Sequence, residues 1–163
     1  GMEAYGLAQR LEIPREEAQD QMDAYFGQFP GVRDFMAGIV ADARNAGYTE
    51  TILGRRRYLP ELTSGNFRER QSGERMALNA PIQGSAADVI KKAMIDLDSR
   101  LESDGDETLM LLQIHDELVL ETPEEAVEST VDVVRDVMES VADLAVPLRV
   151  DIGIGETLGD AKA

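Results

Sequence analysis

The sequence predicts an α+β fold whose strands pair antiparallel. Three observations lead there: apolar stripes at helical spacing, two short β-rich hairpins, and an alternating segment near the C-terminus. A hairpin cannot be parallel, which fixes the sense of the sheet.

The elements follow in order. Residues 14–29 read as a helix, with Pro14 in its first turn and Ala18, Met22, Tyr25, Phe26 and Phe29 on one face. Phe29-Pro30-Gly31 breaks it. A second helix carries Val32, Phe35, Met36, Ile39, Val40 and Ala43 inward and stops at Gly47. Tyr48 to Pro60 reads as a short hairpin turning near Gly54. Asn66 to Asn79 is polar, Arg-rich and helical, and Pro81 and Gly84 are expected to interrupt it. A long helix resumes from Ser85 to Leu101, with Ala86, Val89, Ile90, Ala93, Met94, Leu97 and Leu101 inward, and 103–106 is a loop. The apolar run Thr108 to Ile114 suits a strand covered on both faces. Glu117 to Glu121 is its partner, so His115-Asp116 lies at a tight turn. Thr122-Pro123-Glu124-Glu125 reads as a capping box for a helix burying Val127, Val131, Val134, Met138 and Val141. Leu148, Val150 and Ile152 alternate with polar neighbours as a last, half-buried strand.

At 163 residues the chain is one domain or a piece of a larger one. No apolar run approaches the ~20 residues of a membrane span, and no secretory signal is visible. The cytoplasm is the default expectation, and no membrane partner is expected. Gly1 before Met2 reads as a remnant of tag removal. The absence of Cys removes thiolate chemistry, and a single His removes any mechanism that needs two. Nothing in the sequence sets an oligomeric state.

The net charge of −16 is unevenly spread. Residues 44–100 carry 10 basic and 7 acidic side chains, whereas residues 101–163 carry 3 basic and 17 acidic. A net basic centre in an acidic chain is consistent with a polyanion contact. Uneven scatter over a solvated face accounts for it equally well.

Three constellations carry chemistry. The turn His115-Asp116-Glu117 sets two adjacent carboxylates between apolar strands. Such a pair suits Mg²⁺, which takes one or two carboxylates plus substrate phosphates. As a bare pattern, Asp is more often just a turn residue. A paired His-Asp phosphohydrolase fails for want of a second His. The run from Glu74 to Ser85 places Arg75, Asn79 and Gln83 four residues apart, so the first two share a helix face and the third continues it. These donors suit the minor groove, where every base pair offers an acceptor. A plain polar helix face is the commoner meaning of that pattern alone. The third is Gly54-Arg55-Arg56-Arg57-Tyr58, followed by Arg68, Arg70 and Arg75, which suits a phosphate backbone or a solvated basic loop.

Together, Tyr48 to Pro60, Glu74 to Asp88 and Gln113-Ile114-His115-Asp116-Glu117 resemble the C-terminal part of family A DNA polymerases of the bacterial DNA polymerase I type. The resemblance covers nearly the whole chain, from Ala4 to Gly155. It implies fingers helices over residues 2–47 and an antiparallel palm-type sheet with its helices over residues 48–163. It implies catalytic roles for His115, Asp116 and Glu117, with Asp116 and Glu117 as metal carboxylates and His115 near the primer terminus. Arg75, Asn79 and Gln83 take the minor-groove contacts and Arg70 a phosphate contact. Mg²⁺ is the implied cofactor, in a two-metal site only partly encoded here. Primer–template DNA and deoxynucleoside triphosphates are the implied partners. The family's first catalytic aspartate and its nucleotide-binding helix have no counterpart in these residues, and Thr157-Leu158 replaces the usual aromatic after Gly-Glu. The isolated chain is therefore expected to be inactive. A non-catalytic DNA-binding remnant and a folded structural fragment stay open beside that reading.

Overall fold

A computed structural model describes residues 3–104 and 107–161. The elements are α1 (Ala4–Leu11), α2 (Arg15–Gln28), α3 (Pro30–Ala46), β1 (Tyr48–Glu50), β2 (Arg56–Tyr58), a 3₁₀ turn (Pro60–Thr63), α4 (Phe67–Asp104), β3 (Leu109–Ile114), β4 (Glu117–Glu121), a 3₁₀ turn (Glu124–Ala126), α5 (Val127–Ser140) and α6 (Leu158–Ala161). The α+β class holds, as two separate antiparallel ladders, β1–β2 and β3–β4. The chain groups into two compact units, Gly1–Ser85 and Ala86–Ala163.

In the first unit, α1 is a helix the sequence reading did not anticipate. It ends at Glu12 in the left-handed region (φ 55°) and packs Ala4 and Ala8 on Ala18 of α2. Helix α2 begins one residue after Pro14, which caps it instead of opening its first turn. Helix α3 stops as expected at Gly47, whose φ of 79° suits glycine. The expected inward faces are only partly buried. Tyr25, Phe29, Val32 and Phe35 stand in solvent, because the contacts of α2 and α3 run through the small residues Ala18 and Ala43. The core around Ala43 adds Leu59, Leu62 and Ala77, so it joins α3, the end of the first hairpin and the start of α4.

The hairpin β1–β2 pairs Tyr48 with Tyr58 and Glu50 with Arg56. Its loop closes with the Gly54 N–H on the Thr51 carbonyl (2.9 Å), and Gly54 takes φ 82°. Only glycine adopts that angle without steric cost, which explains the turn found near it.

Helix α4 corrects the sequence reading most. Pro81 and Gly84 do not interrupt it; both lie inside one continuous helix from Phe67 to Asp104. Its C-terminal end includes Ser103 and Asp104, read as loop; Gly105 and Asp106 lie outside the described residues. An interior proline costs roughly 3 kcal/mol, so tertiary contacts must carry the helix past it. Gly84 supplies one of them. A Cβ there would come 2.6 Å from Thr51 Cγ2, so glycine is what lets the hairpin approach.

The second unit buries Leu97 and Leu101 of α4 against Val134 of α5. Met110, Leu118, Leu120, Val133, Val137, Met138 and Ile152 pack against them. Ala86, expected inward, is exposed. The expectation that β3 is covered on both faces also fails. Leu109, Leu111 and Leu112 are exposed, and the ladder slips between Met110 and Leu112. A two-stranded ladder with one helical layer covers one face, and the bulge turns Leu111 out of the pairing. The capping box does not form. Thr122 lends its hydroxyl to Thr108 (2.7 Å) and Thr130 (3.1 Å) instead, and Pro123 precedes a 3₁₀ turn before α5. Residues 148–152 keep the half-buried alternation but pair with no strand among the described residues; the Val150 N–H is satisfied by Glu139 Oε1 at 3.2 Å.

Leu97 is fully buried at the centre of this cluster. Leu97→Ala is expected to lower the unfolding free energy by about 3 kcal/mol, through lost transfer energy plus a cavity. Urea denaturation measures it, and a loss below ~1 kcal/mol would mean the cluster is not the core of this unit.

Candidate active site and nucleic-acid interface

The β3–β4 ladder closes on the pair Ile114 and Glu117, leaving His115 and Asp116 as a two-residue loop. His115 has φ 56° and Asp116 does not have a positive φ. A positive φ at a residue other than glycine is uncommon. A side chain there costs roughly 1–2 kcal/mol, although His tolerates the region better than most. The Gln113 side-chain amide donates to the His115 carbonyl and ties the turn to its strand. His115, Asp116 and Glu117 are all exposed. The Asp116 carboxylate accepts no hydrogen bond and forms no ion pair among the described residues. An exposed, unpaired carboxylate on a short turn between strands is well placed to take a cation.

The donor set is small. Among the described residues no group of three His, Asp or Glu side chains gathers around a point that would hold a metal. Asp116 and Glu117 thus supply at most two carboxylates. That fits Mg²⁺, which fills its remaining positions with water and phosphate oxygens, and it fits one side of a shared site.

Arg75, Asn79 and Gln83 lie on α4 and are all exposed. None of the three side chains has a hydrogen-bond or ion-pair partner among the described residues. Their four-residue spacing aligns them along one face of the helix. Arg70 is different. It is half-buried, donates from Nη1 to the Ser64 carbonyl at 2.8 Å, and lies 6.0 Å from the Phe67 ring centre. Part of its guanidinium is committed to the turn before α4.

The basic hairpin is not a free cationic loop. Arg55 Nη2 donates to the Gly84 carbonyl at 3.1 Å. Arg57 Nη2 reaches Met76 Sδ at 3.2 Å. Arg56 pairs with Glu50 at 2.5 Å and covers the Tyr48 ring at 4.5 Å. The Glu50 hydrogen bond, with Tyr48, raises the Arg56 pKa above its ordinary value. Arg68 keeps its side chain without a described partner. The residues that sequence reasoning missed are Thr51, Gly84 and Ser85, where hairpin and helix meet. Gly84 within a helical pattern was the available signal, since such a glycine usually has a packing reason.

Residues 1–160 match the family described as DNA polymerase family A. The chain is 53% identical to DNA polymerase I of Bacillus caldotenax over 99% of its own length and 18% of the relative's. It is 54% identical to DNA polymerase I of Mycobacterium tuberculosis strain H37Rv, over 96% of this chain and 17% of the relative. Against the thermostable DNA polymerase I of Thermus aquaticus the identity is 49%, over 99% and 19%. The chain thus spans less than a fifth of the length of these relatives. A solved structure described as the POL domain of Pol1 from M. smegmatis, in complex with DNA primer-template and dNTP, matches with a TM-score of 0.97 and 50% identity. That match covers 100% of this chain and 29% of the other. With its motifs in order and the family matched nearly end to end, the chain belongs to DNA polymerase family A.

Proposed function

We propose that these residues are part of a template-directed DNA polymerase serving DNA replication and repair in the cytoplasm. Such an enzyme joins the α-phosphate of a deoxynucleoside triphosphate to a primer 3′-hydroxyl and releases pyrophosphate. The observation that carries the reading is the likeness, over the whole chain, to a polymerase domain described with primer-template and dNTP bound. Residues 2–47 are assigned to the fingers and residues 48–163 to the palm.

Asp116 is the metal carboxylate, and Glu117 is an auxiliary one. Mg²⁺, when bound, supplies charge stabilisation to the attacking and leaving oxygens of an in-line displacement. The exposed, unpaired carboxylate of Asp116 supports its role. His115 holds the turn in a conformation that glycine would adopt more easily, and its ring is assigned to the primer terminus. A side chain kept where glycine is favoured supports a functional demand on it.

Arg75, Asn79 and Gln83 are assigned to minor-groove acceptors. Their free donors, aligned on one helix face, support that reading. Arg70 keeps guanidinium N–H groups beyond the one on Ser64 and is assigned to a backbone phosphate. Because A N3 and T O2 occupy equivalent positions, such contacts test pair geometry and not sequence.

Arg75→Ala in the full-length polymerase is expected to raise the primer–template Kd about tenfold, within the ~1–3 kcal/mol of a side chain that contacts bases. The loss should be equal on two duplexes of different sequence. Fluorescence anisotropy measures both. A loss confined to one sequence, or no loss, would refute the groove assignment.

A further inference from the structure

The groove-facing stripe is divided by a defect in its own helix. Arg75 and Asn79 precede Pro81, and Gln83 follows it. Pro81 has no N–H to offer the Ala77 carbonyl, and its ring crowds that carbonyl. One of the i→i−4 bonds that tie the two halves of the stripe together is therefore missing from an otherwise continuous helix.

The β1–β2 hairpin reaches both sides of this gap. Before Pro81, Arg57 Nη2 contacts Met76 Sδ at 3.2 Å. After it, Arg55 Nη2 donates to the Gly84 carbonyl at 3.1 Å, and the Ile52 N–H donates to Ser85 Oγ at 2.9 Å. The approach is close enough that a Cβ on Gly84 would lie 2.6 Å from Thr51 Cγ2. The tip that makes these contacts is itself held. Thr51 Oγ1 accepts the Arg55 N–H at 3.0 Å, and the Thr51 N–H donates to the Arg55 carbonyl at 3.0 Å. At the far end of the hairpin, the Leu59 N–H is fixed on the Gly47 carbonyl at 2.9 Å.

We infer that the hairpin is a splint across the proline defect of α4, and that Arg55 is a positioning residue for primer–template binding. By holding the turn that carries Gly84, Arg55 keeps Gln83 in phase with Arg75 and Asn79. The inference rests on the proposed groove contacts of those three residues. Arg55 is assigned to the Gly84 carbonyl and to no phosphate.

The test is a double-mutant cycle in the full-length polymerase. Primer–template Kd is measured across a salt series for Arg55→Ala, Gln83→Ala and the pair. Each single change is expected to raise Kd about 3- to 10-fold. The double mutant should be no worse than the weaker-binding single mutant, since Arg55 acts through Gln83. The salt slope of Arg55→Ala should match the parent, because no phosphate contact is lost. Gly84→Ala, which pushes on Thr51 from the helix side, should reproduce the same non-additivity and serves as the second perturbation if Arg55→Ala misfolds. Additive losses would overturn the inference, as would a salt slope reduced by ~1, the mark of a direct phosphate contact. A loss with Gln83→Ala but none with Arg55→Ala or Gly84→Ala would overturn the splint and leave the groove assignment standing. No loss with Gln83→Ala would remove the groove assignment, and the splint's role in binding would fall with it.

Discussion

Asp116→Ala in the full-length polymerase is expected to cut primer extension at least ~10³-fold while primer–template affinity changes less than about twofold. The size follows from what a metal ligand does. Charge stabilisation by a bound metal contributes several kcal/mol in the transition state, and ~4 kcal/mol corresponds to a factor of about 10³ in rate. The selectivity follows from geometry. Asp116 sits on the β3–β4 turn with no partner among the described residues, so its removal breaks no described hydrogen bond, and it is assigned to a metal and not to DNA. Glu117→Ala should cost less, because that carboxylate is assigned an auxiliary role. Single-turnover extension at saturating Mg²⁺ and dNTP, with anisotropy for affinity, separates chemistry from binding. If the two mutants lose equal activity, or Glu117→Ala loses more, the roles within the pair are wrongly assigned.

How much of this was legible in the sequence depends on whether a residue's partner is local. The His115-Asp116 turn was readable because both strands and the break lie within one short stretch, and the pairing of Ile114 with Glu117 left it little choice. The Gly47 stop and the Gly54 turn were readable for the same reason, since each answers to its own φ. Pro81 was misread because the local rule is correct in isolation. What overrides it comes from a hairpin 29 residues away for Arg55 and Gly84, and 19 away for Arg57 and Met76. The arginines at 55–57 were visible as charge, but their partners were not. Thr122 has the right neighbours for a cap, yet its hydroxyl goes to Thr108 and Thr130. The apolar run of β3 says that burial would be favourable and not what lies over it, so the exposure of Leu109, Leu111 and Leu112 could not be read. The stripe of Arg75, Asn79 and Gln83 was legible as a face, because helical spacing survives the proline, while the contacts holding that face in phase were not.

The 163-residue chain alone, with Mg²⁺, primer–template and all four deoxynucleotides, is expected to show no incorporation above an Asp116→Ala control. Too few metal ligands gather at the turn for the reaction. In-line displacement with two metals needs carboxylates that hold both ions ~3.5–4 Å apart. The described residues offer the neighbours Asp116 and Glu117 and no gathering of three acidic or His side chains. Weak Mg²⁺ binding at the turn follows, without the second anchor that fixes the attacking and leaving oxygens. DNA binding by the same chain should survive in reduced form, since Arg70, Arg75, Asn79 and Gln83 lie on a helix within the described residues. With two or three phosphates neutralised, the log–log salt slope should be only about −2 to −3, and the affinity no tighter than the ~10⁻⁴–10⁻⁶ M of non-specific complexes. The acidic flanks add repulsion, but charges beyond ~8–10 Å are largely screened at physiological salt. Primer extension and anisotropy on one preparation decide between the readings. Incorporation above the control would show that the chain holds a complete metal site and would overturn the ligand count. Nanomolar or sequence-selective binding without incorporation would instead mark a self-sufficient DNA-binding module, and the groove contacts would then be more than shape-reading.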